Sequence, residues 1–106
     1  MKCAHLVILA VLTIASPALA GADVSVIQKD QSFSTSRLAI HAGDTVLWGN
    51  ADDFNHNIAV QTSGGAVTDL GLQAHGQVIR HSFDAAGSYR IFCHIHPKMK
   101  MTVVVE

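Results

Sequence analysis

The sequence has little of what many functions require. Charged residues make up only 14% of the 106-residue chain, the net charge is −1, and no run of basic residues occurs. A basic patch is the electrostatic feature that nucleic acid binding needs, so nucleic acid is not an expected partner. The hydrophobic share of 49% excludes a disordered chain, because disordered segments contain few hydrophobic residues. We therefore expect a globular protein that does not bind nucleic acid.

A continuous apolar run occurs near the N-terminus and is too short to cross a membrane. Lys2 precedes the run Leu6–Leu12, and the segment ends in the small-residue pattern Ala18-Leu19-Ala20. This arrangement is typical of a secretory signal peptide; a buried N-terminal helix or a membrane anchor is the alternative. We expect residues 1–20 to be a cleaved signal peptide, and residues 21–106 to form one small exported domain without membrane insertion.

Cysteine is scarce as well. The chain has two, Cys3 and Cys93, and removal of the signal peptide leaves only Cys93. A single cysteine cannot form an internal disulfide, and a free thiol in an oxidising compartment is a liability unless it is buried or bound to a metal. Pairing between two molecules is the alternative for Cys93.

Beyond residue 20 the chain consists of short β-type segments and turns, with no convincing helical period. Turn signals at 41–44 and 84–87 separate candidate strands, and Trp48, Phe83 and Tyr89 are candidates for the core. Seven or eight strands at regular spacing predict an all-β fold, an antiparallel sandwich or barrel. The candidate strands cover residues 24–27, 33–40, 45–48, 58–60, 69–73, 77–83, 88–92 and 102–105.

Soft metal ligands are concentrated near the C-terminus. Cys93, His96 and Met99 lie within seven consecutive positions, where a strand ending at Cys93 leads into a turn that Pro97 stiffens. A plane of two histidines and one cysteine with a weak axial methionine is the ligand set of blue-copper electron-transfer sites. His56, which precedes an apolar strand, supplies the second histidine. We predict a site for one copper ion with the ligands His56, Cys93, His96 and Met99.

Four protein ligands leave no free coordination position for a substrate, so this site favours a carrier over an enzyme. Ligands from one loop and a separate strand would hold the ion in one geometry in both oxidation states. A zinc-dependent hydrolase would need an open position and a general base, and no carboxylate lies within the ligand loop.

The chain resembles the cupredoxins, the small type 1 blue copper proteins of the plastocyanin/azurin family, and is most similar to amicyanin and pseudoazurin. The resemblance covers essentially all of residues 21–106, a plastocyanin-like domain, and implies a Greek-key β-sandwich of seven to eight strands. The residues that carry it are the 42–50 segment, His56-Asn57-Ile58, the 83–99 segment and the ending 102–106.

The resemblance also implies residue roles. His56, Cys93 and His96 would be equatorial ligands and Met99 the axial one. Asn57 would tie the two ligand loops together and donate a backbone hydrogen bond to the Cys93 sulfur. The exposed ring edge of His96 would pass electrons within an apolar patch that Ile95 and Pro97 help to build. Lys98 and Lys100 would rim that patch and favour an acidic partner.

Two positions depart from the family pattern. Met101 lies where glycine is common, at a plastocyanin-like spacing from Cys93, and is the alternative to Met99 as axial ligand. His94 follows Cys93 in an extended segment and should point away from the metal, as a surface histidine without a coordinating role. We expect His41, His75 and His81 to be solvated or to have their hydrogen bonds satisfied within the protein, and not to be metal ligands.

The predicted function is a monomeric periplasmic electron carrier. It would shuttle single electrons, through transient contacts, from a dehydrogenase or cytochrome donor to a cytochrome or oxidase acceptor. The alternative is a periplasmic copper-binding protein for delivery or storage without redox turnover. Delivery sites tend to be exposed and rich in methionine or histidine, whereas these ligands lie on a strand and its turn.

Overall fold

The computed structural model describes residues 3–11 and 21–106 of the chain. Residues 3–11 are exposed and have no secondary structure. The predicted cleavage motif, Ala18-Leu19-Ala20, lies outside the described residues. Within the described ranges, no helix is long and apolar enough to cross a membrane.

The described residues form nine β-strands in two sheets, which confirms the all-β prediction with one strand more than expected. One sheet has the order β2-β1-β4-β7, and the other has the order β3-β9-β8-β5-β6. The strands are β1 (Asp23–Lys29), β2 (Ser32–Phe33), β3 (Arg37–Ile40), β4 (Asp44–Asn50), β5 (His56–Gln61), β6 (Val67–Gln73), β7 (Val78–Phe83), β8 (Gly87–Phe92) and β9 (Lys100–Val105).

The structure corrects two details of the strand prediction. The segment 33–40, predicted as one strand, is divided, because β2 belongs to the first sheet and β3 to the second. The pairing is also not antiparallel throughout, since β1 pairs with β4 and β3 pairs with β9 in parallel. Each parallel pair joins strands that are distant in the chain, and the spacing of strands along a sequence does not report such pairing.

The core lies between the two sheets, as the alternating pattern requires. Trp48 is fully buried and meets the Phe83 ring edge-on at 6.2 Å between centroids. Tyr89 packs against Phe83 at 5.1 Å, while its hydroxyl donates a hydrogen bond to the Ala85 carbonyl. Complete burial of a large side chain such as Phe83 contributes about 1.5–3 kcal/mol, and the partly buried Tyr89 contributes less.

The topology brings the two predicted ligand segments to the same end of the second sheet. Strands β5 and β8 are antiparallel neighbours, with Ala59 opposite Phe92. The first residue of β5, His56, and the residue after β8, Cys93, therefore lie side by side although 37 positions separate them.

Candidate metal centre

Three of the predicted ligands meet in a compact cluster. The Nδ1 atoms of His56 and His96 are 3.1 Å apart, and the Cys93 sulfur lies 3.9 Å from the first and 3.8 Å from the second. Among the residues described, they form the group whose donor atoms are arranged to hold a metal ion. His56 and Cys93 are fully buried, and His96 is partly exposed.

The cluster has the size and the chemistry that copper requires. The point equidistant from the three donor atoms lies about 2.1 Å from each, within the about 2.0–2.3 Å range of metal–nitrogen and metal–sulfur bonds. Two imidazoles and one thiolate combine donors that suit Cu(II) and Cu(I). The residues present therefore fit a copper ion.

A short loop shapes the C-terminal side of the site. The Met99 N–H donates to the His96 carbonyl at 2.9 Å, and the Cys93 N–H donates to the Met99 carbonyl at 3.2 Å. These two bonds close the segment 93–99 into a tight turn. The side chains of Cys93 and His96 consequently face the same point.

The two candidate axial methionines occupy different environments. Met101 is the second residue of β9, opposite Ile91 of β8, and belongs to the hydrophobic cluster between the sheets. Met99 is equally buried but is not a member of that cluster. It lies in the ligand loop, one residue before β9 begins.

Asn57 joins the two ligand segments, as the family resemblance implied. Its backbone N–H donates to the Cys93 sulfur at 3.4 Å, and its side-chain oxygen accepts the His94 N–H at 2.6 Å. A hydrogen bond to a coordinating sulfur withdraws electron density and restrains the ligand. This part of the sequence-based prediction is confirmed.

His94 lies outside the ligand group on the surface, as predicted, and it has hydrogen-bond partners that the sequence did not indicate. Its ring is half exposed, but its Nδ1 lies 3.1 Å from Asp69 Oδ2 and 3.3 Å from Asn57 Nδ2. Asp69 also accepts a hydrogen bond from Asn57 Nδ2 at 3.1 Å. Sequence reasoning missed this cluster because Asp69 comes from β6, which no motif connects to the ligand loop.

Sequence reasoning also missed a buried carboxylate behind His56. Asp52 Oδ2 lies 2.8 Å from His56 Nε2, the ring nitrogen that faces away from Cys93. Burial raises the pKa of the Asp52 carboxyl, but the hydrogen bonds that it accepts, from the His56 side chain first and then from two backbone N–H groups, outweigh burial and lower the net pKa. The one available signal was the spacing of four residues between Asp52 and His56.

An apolar surface surrounds the exposed edge of His96. The Phe54 ring packs edge-on against both histidine ligands, 5.2 Å from His56 and 5.4 Å from His96 between centroids. Phe54 and Ile95 are 41% and 48% exposed, and Ile95 and Pro97 line a shallow pocket together with His96. We call Phe54, Ile95 and Pro97 the apolar patch. Sequence analysis anticipated Ile95 and Pro97 but not Phe54.

The other histidines lie outside the cluster. His41 is 82% exposed, His75 places Nδ1 2.9 Å from the Asp52 carbonyl, and His81 packs against Phe83. Burial lowers the pKa of His81, an effect that Asp84 partly offsets. Exposure of His41 and the contacts of His75 and His81 agree with the expectation that these three histidines are not metal ligands.

Comparison with known proteins gives consistent matches. The profile described as copper binding proteins of the plastocyanin/azurin family matches residues 20–106. Amicyanin-alpha of Methylorubrum extorquens is 34% identical over 76 residues, which cover 70% of this chain and 64% of that protein. Plastocyanin of Scenedesmus fuscus is 37% identical over 84 residues, covering 70% of this chain and 86% of that protein.

Solved structures agree with the sequence matches. The crystal structure of amicyanin from Paracoccus versutus has a TM-score of 0.73 and 31% identity, with 79% of this chain and 81% of that chain covered. The chain spans slightly less than two thirds of the length of amicyanin-alpha. The sequence matches and the structural match therefore point to the same family of copper-binding proteins.

Proposed function

The chain belongs to the plastocyanin/azurin family of copper-binding proteins, and we propose that it is an exported carrier of single electrons. Copper, when bound, supplies the exchange of one electron between Cu(II) and Cu(I). The observation that carries the proposal is the triangle of His56, Cys93 and His96 donors, which has the dimensions of a metal site; His56 and Cys93 are fully buried and His96 is partly exposed.

The proposed ligands are His56, Cys93, His96 and Met99. Met99 is preferred to Met101 as the axial ligand because it lies in the ligand loop, whereas Met101 packs into the core. Burial of His56, Cys93 and Met99 limits the access of water to the site, and hydrogen bonds at His56 and Cys93 limit how far these ligands move when the charge of the ion changes. These properties suit electron carriage, and the proposed role is not catalytic.

The apolar patch is the proposed docking surface for redox partners. It surrounds His96, the one partly exposed ligand, so a partner seated there would lie next to the site. Small transient interfaces are typical of electron-transfer encounters. The partners would be a dehydrogenase or cytochrome donor and a cytochrome or oxidase acceptor, and the carrier would act as a monomer.

Lys98, which lines a pocket with Ile95 and Pro97, and Lys100 are both exposed and favour a partner with an acidic surface. Replacing both by glutamine should lower the second-order rate of electron transfer with an acidic cytochrome several-fold at low salt. The difference should shrink as salt rises, because the Debye length falls to about 8 Å at physiological ionic strength. Equal rates for the two proteins at low salt would contradict an acidic partner.

The experiment that tests the function is spectroscopic. Cu(II) is added to the purified protein, and optical and EPR spectra are recorded before and after ascorbate and again after an oxidant. We expect an intense thiolate-to-copper band with narrow copper hyperfine splitting, bleached by ascorbate and restored by reoxidation. Cys93→Ser should abolish the colour. An ordinary pale Cu(II) spectrum, or loss of copper on reduction, would favour delivery or storage instead.

Export through a cleaved signal peptide is part of the proposal, with the periplasm as destination. The supporting observation is the apolar run followed by Ala18-Leu19-Ala20. After expression of the full chain in a Gram-negative host, intact-mass analysis of the periplasmic fraction should find a protein that begins at Gly21. Recovery of the uncleaved chain in the membrane fraction would contradict this.

A further inference from the structure

We propose that Asp52 is a positioning residue of the metal site, which holds His56 in one tautomer and adds a buried negative charge that favours Cu(II). The inference rests on the proposed function, because it assigns Asp52 a role toward the copper ligand His56. The inference goes beyond the proposed function because it assigns a role to a charged carboxylate, not a neutral acceptor, at the Nε2 atom of His56.

The contact between the two side chains leaves His56 one usable donor atom. Asp52 Oδ2 is 2.8 Å from Nε2, and both side chains are almost completely buried, at 3% and 0% exposure. An ionised carboxylate only accepts hydrogen bonds, so Nε2 must carry the proton. A neutral imidazole then has its lone pair on Nδ1, the atom that faces Cys93 and His96.

The carboxylate is itself held in place from the opposite side. It accepts the backbone N–H groups of Asp30 at 2.7 Å and Gln31 at 3.1 Å, in the turn between β1 and β2. Both turn residues have positive φ, 52° and 55°, which is uncommon for residues other than glycine. Three donors therefore converge on Asp52, and its orientation does not depend on the metal.

The charge of Asp52 is not cancelled by a cationic side chain. Within the described part of the chain, His56 is the ion-pair partner found for Asp52, and the nearby Lys29 ammonium contacts the Ala51 carbonyl instead. Cu(II) carries one more positive charge than Cu(I), so a negative charge one imidazole away stabilises the oxidised form. A carboxylate that accepts from a metal-bound histidine also makes the ring a better donor.

A purely structural role is the competing explanation, because Asp52 also stabilises the β1–β2 turn. Asp53 offers a matched control. It carries the same charge on the next residue, but its side chain is 97% exposed and its nearest histidine contact is to His75 at 3.7 Å. Comparing Asp52→Asn with Asp53→Asn separates loss of a buried, contacting charge from loss of a nearby surface charge.

The first test measures the tautomer of His56 and begins with the wild type. Imidazole ¹⁵N and ¹H NMR of the wild-type protein, copper-free and Cu(I)-loaded, should show His56 protonated at Nε2 with slow solvent exchange of that proton. Asp52→Ala should remove the slow exchange. A His56 protonated at Nδ1 in the copper-free protein, or a rapidly exchanging Nε2 proton, would overturn the proposal.

The second test measures reduction potential. Asp52→Asn should shift the Cu(II)/Cu(I) equilibrium three- to tenfold toward Cu(I), a rise of about 30–60 mV for a one-electron couple. Asp53→Asn should shift it less than half as far. Equal shifts in both variants, or no rise in Asp52→Asn, would overturn the charge effect. If the wild type has no blue copper spectrum, the proposed function fails, while the tautomer measurement on copper-free protein still decides the positioning role.

Discussion

Two methionines two positions apart illustrate what a single side chain contributes. Met99 and Met101 have the same chemistry and nearly the same burial, 2% and 3% exposure. The side chain of Met101, on β9, packs into the core between the two sheets, while Met99 stays in the ligand loop. Their substitutions should therefore affect different properties of the protein.

Met99→Gln should change the copper site and leave the fold intact. The amide oxygen is a harder donor than a thioether and stabilises Cu(II), so the reduction potential should fall and the visible and EPR spectra should change. Cyclic voltammetry and EPR check this. Met101→Leu is the control, and its potential should match that of the wild type; a spectral change in that variant alone would identify Met101 as the axial ligand.

Met101→Ala should act on stability instead. Truncating a buried methionine removes packing contacts and leaves a cavity, which costs about 2–5 kcal/mol of the free energy of unfolding. Urea unfolding of the copper-free wild type and variant measures this loss of free energy. A loss below about 1 kcal/mol would mean that Met101 is not a core residue.

At the scale of elements, a bulge in β6 places Asp69 beside the ligand loop. The pairing of β5 with β6 shifts register between Asn57 and Ala59, so that Leu70 and Gly71 together face Ile58. Gly71 has φ of +105°, and its N–H donates to Asp69 Oδ1 at 2.8 Å. Bulges of this kind occur next to functional sites, where they redirect a side chain. Here that side chain is Asp69, which contacts Asn57 and His94.

Gly71→Ala should destabilise the protein through backbone strain alone. No atom lies within 4 Å of the added Cβ, so a steric clash is not expected. The positive φ at position 71, however, costs a residue other than glycine about 1–3 kcal/mol. Gly64→Ala is a matched control in a neighbouring loop, where the nearest contact is 3.8 Å away and φ is not positive. Urea unfolding measures the stability of both variants, and equal stabilities would show that the positive φ of Gly71 costs alanine nothing.

At the scale of the whole molecule, Asp44 connects the start of the described domain to the turn before β4. Its carboxylate accepts the N–H groups of His41 and Ala22, each at 2.8 Å. These bonds, that from His41 first, lower the pKa of Asp44 below its ordinary value of 3.8. The group therefore stabilises the fold above pH 3.8, and this contribution is lost as pH falls through the lower pKa of the folded state.

Asp44→Asn should consequently change the pH dependence of stability. The difference in free energy of unfolding between the wild type and the variant should be largest above pH 5 and should shrink as pH falls below 3.8. Urea unfolding of the copper-free proteins from pH 3 to pH 7 measures this without interference from metal release. A difference that is constant over this range would show that the charge of Asp44 is not what stabilises the fold.

Much of this protein follows from its sequence because the informative residues are local. The alternation of apolar residues predicts the strands, and Cys93, His96 and Met99 are near neighbours on one loop. The contacts of Asn57 with the Cys93 sulfur and the His94 backbone were also anticipated, through the family resemblance.

Only the tertiary structure decided the features that depend on pairing between distant segments. The division of residues 33–40 between two sheets and the parallel pairs β1–β4 and β3–β9 result from how the sheets close around a common core. Asp69 meets His94 through the β6 bulge, and Asp52 is secured by a turn about twenty residues earlier. Periodicity and motif spacing describe a residue's neighbours in the chain, whereas these hydrogen bonds depend on which strands lie side by side.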